Sequence, residues 1–354
     1  MTELDMIAAL SDAFGPSGFE DEVLSVLRAH LPDGISAAED SLRNLYLRRP
    51  GEENKPVVML DAHSDEIGFM VQAIRPDGTL KFLPLGGWTA SNIPAHPVKV
   101  RARDGRLVPG ITGSKPPHFL SDAERNSMPD IGGMWIDIGA SNIAEARDGF
   151  GIRPGAPVAP DVTFSYDEER DLMVGKAFDN RLGCAAVLSV LQAVGNEALS
   201  VDVVGAIAAQ EEVGTRGASV TARRVKPQIA IVFEGAPADD RGTESWMIQT
   251  AVHKGPMLRH LDTRMITNPR FQRFALDLAE EIGIPVQEAV RSGGSTDGAP
   301  IHLSEDGIPC VVIGFPVRYA HTHYGMASLE DFKNGVRLAV EIIRRLDGET
   351  VAGF

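Results

Sequence analysis

The stretch Val203-Val204-Gly205-Ala206-Ile207-Ala208-Ala209-Gln210-Glu211-Glu212 decides the fold. An unbroken apolar run of this length predicts a strand buried on both faces. It ends on two adjacent carboxylates, and charge at the mouth of a buried strand is costly unless something uses it. Three other apolar runs end in a similar way. Val57-Val58-Met59-Leu60-Asp61 leads into His63 and Asp65, Ile229-Ala230-Ile231-Val232-Phe233 into Glu234, and Cys310-Val311-Val312-Ile313-Gly314 toward His321. Open α/β sheets hold ligands beyond the carboxyl ends of their strands. Four strands delivering His, Asp and Glu to one edge predict a metal site there.

The rest of the chain fits that frame. At 354 residues it can bury a large core, in two domains or in one with an insertion. A net charge of -15 disfavours nucleic acid as a partner, because phosphate repels it, and serves solubility. No apolar stretch approaches the length needed to span a bilayer. The acidic start, Met1-Thr2-Glu3-Leu4-Asp5, lacks the basic segment of a signal peptide. Cys184 and Cys310 sit in apolar contexts and do not read as a disulfide framework, so a cytoplasmic location is expected.

A first helix is predicted over Leu4–Phe14, broken by Pro16. Ser17 is expected to cap a second helix, with Glu20 completing a capping box. From Phe69 to Phe164 the texture changes to short β-like runs (Thr79–Leu83, Pro97–Ala102, Met134–Ile138) separated by Asp-Gly turns. This reads as a small barrel-like β domain, residues 69–164, inserted into a catalytic domain made of 1–68 and 165–354. Helices are then expected over Asn180–Val194, Pro269–Ile282 and Ser328–Leu346. Strands are expected over Val201–Ala209, Ile229–Phe233, Val286–Val290 and Cys310–Gly314. The fold class is α/β, with a central mixed sheet covered by helices on both faces.

His63 and Asp65 stand at i and i+2, so at a strand end both point the same way. Asp65 can then fix the tautomer of His63 and leave its other nitrogen for a metal. Asp179 precedes a helix, where it can cap the helix or bridge two cations. Glu211 and Glu212 should diverge, one to bind metal and one to address a water. Glu234 and His321 complete the set, and His323 makes the second histidine assignment ambiguous. Asp179, Glu212 and Glu234 carry three negative charges, and a hydroxide adds a fourth. Two divalent cations balance these, with Glu211 left as the ionised base. Mixed His and carboxylate ligands suit zinc, cobalt or manganese.

Taken together these segments resemble the M42 family of metallo-aminopeptidases. The resemblance runs through Asp61-Ala62-His63-Ser64-Asp65-Glu66-Ile67-Gly68, Gly86-Gly87-Trp88, Gly113-Ser114-Lys115-Pro116-Pro117-His118 and Lys176-Ala177-Phe178-Asp179-Asn180-Arg181. It continues through Gln210-Glu211-Glu212-Val213-Gly214-Thr215-Arg216-Gly217-Ala218, Ser295-Thr296-Asp297-Gly298 and Val317-Arg318-Tyr319-Ala320-His321. It implies a zinc-peptidase-like catalytic domain that cleaves N-terminal residues from peptides with two divalent ions. By position it implies that His63 and Glu234 hold one ion, Glu212 and His321 the other, and Asp179 both. Glu211 would be the general base and Asp65 would orient His63. It also implies a homo-oligomer built from dimers, as large as a dodecamer in many members. Family members usually carry Asp where Glu234 stands. By analogy with related peptidases, the longer side chain motivates an alternative carboxypeptidase or N-acyl amino-acid hydrolase; a non-catalytic metal-binding scaffold is a third reading. Arg318, Gly294 and His323 are candidate substrate contacts, as is Arg291, although ordinary ion pairing also accounts for the arginines.

Overall fold

Four of the apolar runs lie side by side as parallel strands in the order Asp202–Ala208, Val57–His63, Ile229–Pro237, Cys310–Val317. A computed structural model describes residues 2–50 and 54–354. Leu45–Arg48 and Ser36–Glu39 extend the sheet antiparallel on one side. On the other side Met257–Leu261 adds antiparallel and Gln287–Val290 parallel to it, giving an eight-stranded mixed sheet. Because the central four are parallel, their carboxyl ends share one edge, which fixes where the site lies.

Helices cover both faces. The helix Phe178–Val194 is apolar on nearly all sides and lies between the sheet and two outer helices, Glu3–Asp12 and Leu329–Arg345. Arg216–Val225 and Gly298–Ile301 pack on the opposite face. Between Val57–His63 and Phe178–Val194 the chain leaves the sheet and closes a six-stranded barrel, with strands running from Gly68 to Pro160. The barrel has its own core, including Phe69, Phe82, Val100, Ile136 and Val158. Ser165–Asp167, Leu172–Gly175 and Gly325–Ala327 then form a small separate sheet.

Several boundaries differ from expectation. The strand expected over Ile229–Phe233 continues to Pro237, and that over Cys310–Gly314 continues to Val317. The two pair in parallel as far as Pro237 opposite Val317, so Glu234 lies inside a strand rather than after one. Sheet pairing overrides the local charge and glycine signals that mark a strand end.

The expected capping box at Ser17 does not form. The second helix is Asp21–Ala29, with Glu20 at its N-cap and no side-chain capping bond. Ser17 instead donates its hydroxyl to Asp65 Oδ2 at 2.6 Å. Glu20 Oε1 accepts the amide hydrogens of Gly18 and Gln210, at 2.8 and 3.2 Å. Its Oε2 is buried without a partner among the described residues. Burial, reinforced by the nearby Asp65 carboxylate, pushes the Glu20 pKa up to about 7.

The first helix stops at Asp12, short of the expected Phe14: the Phe14 amide donates to Glu22 Oε2 at 3.1 Å, and the Leu10 carbonyl that would receive it accepts from Arg181. Lys176 Nζ bonds the carbonyl of Ala13 at 2.7 Å and Glu66 Oε1 at 2.6 Å. Arg181, fully buried, donates to the carbonyls of Leu10, Gly15 and Ser64 and to Glu66 Oε1. This network ties the N-terminal helix to the segments on either side of the site edge.

The raised pKa of Glu20 has a stability consequence. Between the ordinary glutamate value and about 7 the folded state holds a proton that the unfolded chain releases, so stability falls as pH rises through this window. The full effect is of order 3 kcal/mol above pH ~7. Glu20→Gln keeps the Oε1 acceptor and removes the titration. Its thermal midpoint should fall less between pH ~5 and pH ~8 than that of the parent, and parallel profiles would refute the assignment.

Candidate metal centre

His63 is the last residue of its strand and is buried. Its Nδ1 donates to the carbonyl of Asp65 at 3.1 Å, with Asp65 Oδ1 at 3.4 Å. That leaves Nε2 facing Asp179 Oδ1 at 3.1 Å, Glu234 Oε1 at 3.4 Å and Glu211 Oε2 at 3.9 Å. Asp179 does not cap its helix. The N-cap is Ala177, in the left-handed region, and the Asp179 backbone is non-helical at φ -84°, ψ 102°. Its side chain is thereby free to face both histidines. Gly235 makes room for it, since a Cβ there would lie 2.5 Å from Asp179 Cα.

The Asp65 carboxylate is largely occupied elsewhere. It accepts the amide hydrogens of Glu211 at 2.8 Å and Glu212 at 3.1 Å, besides the Ser17 hydroxyl. Burial raises its pKa, but its bonds to His63, Ser17 and the Glu211 amide outweigh this and hold it low. A permanent carboxylate thus clamps the turn that carries the glutamate pair. Glu211 turns toward His63, while Glu212 Oε2 lies 3.6 Å from His321 Nε2. The divergence comes from this turn, entered at Gln210 with φ 57°, rather than from strand alternation.

His321 donates Nδ1–H to the carbonyl of Gly87 at 2.6 Å and presents Nε2 to Asp179 Oδ2 at 3.5 Å. Among the described residues, two groups of ligand-type side chains converge. They are His63 with Asp179 and Glu234, and Asp179 with Glu212 and His321, the ligand atoms of each lying within 4.8 Å of one another. Asp179 belongs to both, through different oxygens.

The electrostatics suit cations. Burial, with neighbouring carboxylates adding to it, pushes Glu212 up to about 8, Glu234 up to about 7 and Glu211 well above the usual range. Burial alone would depress His321, yet contact with Asp179 and the charge of Glu212 raise it to about 10. An imidazole raised by surrounding carboxylates, beside an Asp179 held below the usual range by both histidines, marks a site that attracts positive charge. Two further acids, Asp61 and Asp297, escaped the sequence reading as site residues. Both are buried near His63 and Glu234 and interact with each other, and burial pushes Asp61 up to about 8 and Asp297 well above the usual range. An aspartate inside an apolar run was the available signal for Asp61.

A cavity of about 510 Å³ opens over this edge. Its lining includes the carboxylates Asp179, Glu211, Glu212 and Glu234 together with Arg259, Arg264, Arg291 and the Ser292–Ser295 turn. Gly294 is part of this lining. Arg318 is not: its guanidinium is held by Asp240, with Nε 2.9 Å from Oδ1. His323 does not line the cavity either. It is buried against the barrel, its ring centroid 4.3 Å from that of His96 and its Nε2 donating to the carbonyl of Ile93 at 3.2 Å. Arg291 lines the cavity but is paired with Asp239 at 2.8 Å. Arg259 and Arg264 were not anticipated. Arg259 is buried, bonds Asp262 at 3.2 Å and has an Nε without a partner. Arg264 is exposed, with a contact of 3.5 Å to Thr215 Oγ1.

Comparison with known proteins agrees with this geometry. The sequence profile of the M42 glutamyl aminopeptidase family matches residues 43–338. The glutamyl aminopeptidase of Lactococcus lactis is 32% identical over 355 residues, covering 99% of each chain. The TET aminopeptidase of the marine sediment archaeon Thaumarchaeota archaeon SCGC AB-539-E09 superposes with a TM-score of 0.94. It is 37% identical and is covered over 98% of its length by 99% of this chain. The TET1 peptidase of Pyrococcus horikoshii, described as assembling into a tetrahedron or a large octahedral shell, gives a TM-score of 0.86 at 26% identity. There the match spans 98% of this chain and 100% of the other. With a profile spanning most of its length and relatives aligned end to end, the chain belongs to the M42 family of metal-dependent peptidases and is an aminopeptidase.

Proposed function

We propose that the chain is a dinuclear aminopeptidase that removes acidic residues from peptide N-termini. One observation carries the dinuclear reading: the Asp179 carboxylate is divided between two donor groups, with Glu211 outside both. His63, Asp179 and Glu234 would hold one divalent cation, and Asp179, Glu212 and His321 the other. When bound, zinc or cobalt, with manganese also compatible, would polarise the scissile carbonyl and acidify the attacking water.

The remaining steps belong to the protein's own groups. Glu211 stands beside both donor groups but is largely shielded from solvent. Its raised proton affinity suits a base that takes a proton from water and returns it to the leaving amine. Asp65 positions this base through the amide hydrogens of Glu211 and Glu212. Arg259 and Arg264, which also line the cavity, would receive an acidic side chain. The Lactococcus relative is named for glutamyl substrates, which agrees with this reading. We also infer a homo-oligomer in which the barrel, whose surface exposes Leu107 and Ile111, contributes contacts between copies.

Glu211→Gln should lower kcat by about 10²–10⁴-fold while the metal content of the purified protein stays unchanged. Near-parental turnover would remove Glu211 from the role of base. Exhaustive chelation should abolish hydrolysis and lower the thermal midpoint, with both restored by zinc or cobalt; activity that survives in verified metal-free protein would end the metal reading. Arg264→Ala should reduce the preference for glutamyl over leucyl substrates by about tenfold, the worth of one charge-assisted contact. An unchanged ratio would place acid recognition elsewhere. N-acetylated peptides should remain uncut, and their selective hydrolysis would favour the N-acyl amino-acid hydrolase reading.

A further inference from the structure

The two donor groups are supported by different parts of the fold. The group of His63, Asp179 and Glu234 is fixed within the central sheet and the helix beside it. His63 and Glu234 lie on adjacent parallel strands, and the His63 Nδ1 bond is to the nearby Asp65 carbonyl. The group of Asp179, Glu212 and His321 has a different anchor. The His321 ring is oriented by the carbonyl of Gly87, which belongs to the barrel's connection between Leu80–Leu85 and Pro97–Arg101.

That connection is built to touch the site. A Cβ at Gly86 would come within 3.1 Å of Glu212 Oε2, and one at Gly87 within 3.2 Å of His321 Nδ1. The next residue, Trp88, locks the loop to the barrel. Its Nε1–H donates to the carbonyl of Gly68 at 3.0 Å, and its ring stacks on Phe69 with centroids 4.5 Å apart. His323 packs against Trp88, with centroids 4.9 Å apart, so the turn carrying His321 meets the barrel at two points. That turn needs support. Tyr319 and His321 both have positive φ, 63° and 60°, a region unfavourable for non-glycine residues.

We propose that the Gly86–Trp88 loop is a positioning element for His321. By this inference the seating of the barrel sets the affinity of the cation position made by Asp179, Glu212 and His321. The position made by His63, Asp179 and Glu234 is independent of the loop. The inference rests on the two-cation reading above. The orienting partner of a ligating histidine is worth about 10–100-fold in metal affinity. The two positions therefore differ in what can disturb them, although they share Asp179.

The test is a Co²⁺ titration of metal-free full-length protein, followed by calorimetry and by visible absorption of the bound cobalt. Gly87 does not occupy the left-handed region, so Gly87→Ala is compatible with its backbone and directs the new methyl at the His321 ring. The parent should show two binding events. Gly87→Ala should weaken one by about tenfold or more and leave the other within about twofold. In a Glu234→Gln background Gly87→Ala should weaken the remaining strong event, whereas in a Glu212→Gln background it should add nothing. Trp88→Phe keeps the stack and loses the bond to Gly68. It should shift the same event in the same direction, and it carries the test if the thermal midpoint shows Gly87→Ala to be misfolded. Equal weakening of both events, or of neither, would overturn the positioning role. A single event in the parent would instead overturn the two-cation reading, and this inference with it.

Discussion

One carboxylate, that of Asp179, faces two imidazoles from opposite ends of the chain, and most of the architecture follows from making that possible. His63 approaches one oxygen and His321 the other. Three backbone segments must meet within a few ångströms without a clash. The parallel sheet supplies the common edge. Gly235 supplies the space, and the non-helical backbone at Asp179 supplies the direction. A side chain at position 235, or a regular helical start at 179, would separate the two donor groups.

Such an edge gathers negative charge, which must be held without collapse. Asp65 remains ionised because donors surround it, and its lone pairs bind the amides that carry Glu211 and Glu212. Behind it Glu66 pairs with both Lys176 and Arg181, all buried, and the two cations bond carbonyls at the end of the first helix. A buried ion network of this kind contributes little net stability, because desolvation offsets the attraction. What it does here is fix geometry. It anchors residues 64–66 and 176–181, the segments that carry Asp65 and Asp179, to one N-terminal helix.

The sheet and its charged edge were legible because unbroken apolar runs and their terminal acids are local patterns. Closure of the barrel was legible only as a change of texture, since which strand pairs with which depends on contacts far apart in sequence. Ser17 and Glu20 illustrate the limit. Their spacing matches a capping box, but the buried Asp65 and the Gln210 amide compete for them, and neither competitor is near in sequence. His323 was ambiguous for the same reason. Two histidines at i and i+2 look alike until the barrel covers one of them. Arg318 and Arg259 show that an arginine's surroundings are set by the fold. Asp240 engages the first, while the second lies at the cavity with an Nε unsatisfied.

The cavity's lining carries charge of both signs, and this bears on what can enter it. Its carboxylates, with cations bound, would engage the reacting carbonyl, and any uncompensated acid would attract an N-terminal ammonium. Its arginines would favour a negative group, although Arg259 and Arg291 already have acidic partners. A peptide that begins with an acidic residue presents this pairing, with its ammonium and side-chain carboxylate attached to the same Cα. A net charge of -15 would repel such a substrate at long range, but salt screens that repulsion beyond about 8–10 Å. Close to the surface local charges dominate, so an acidic protein can hold an acidic residue provided its guanidinium groups stand at the cavity. On the proposed reading the sheet edge would hold the cations, and other residues of the cavity lining would decide which side chain sits against them.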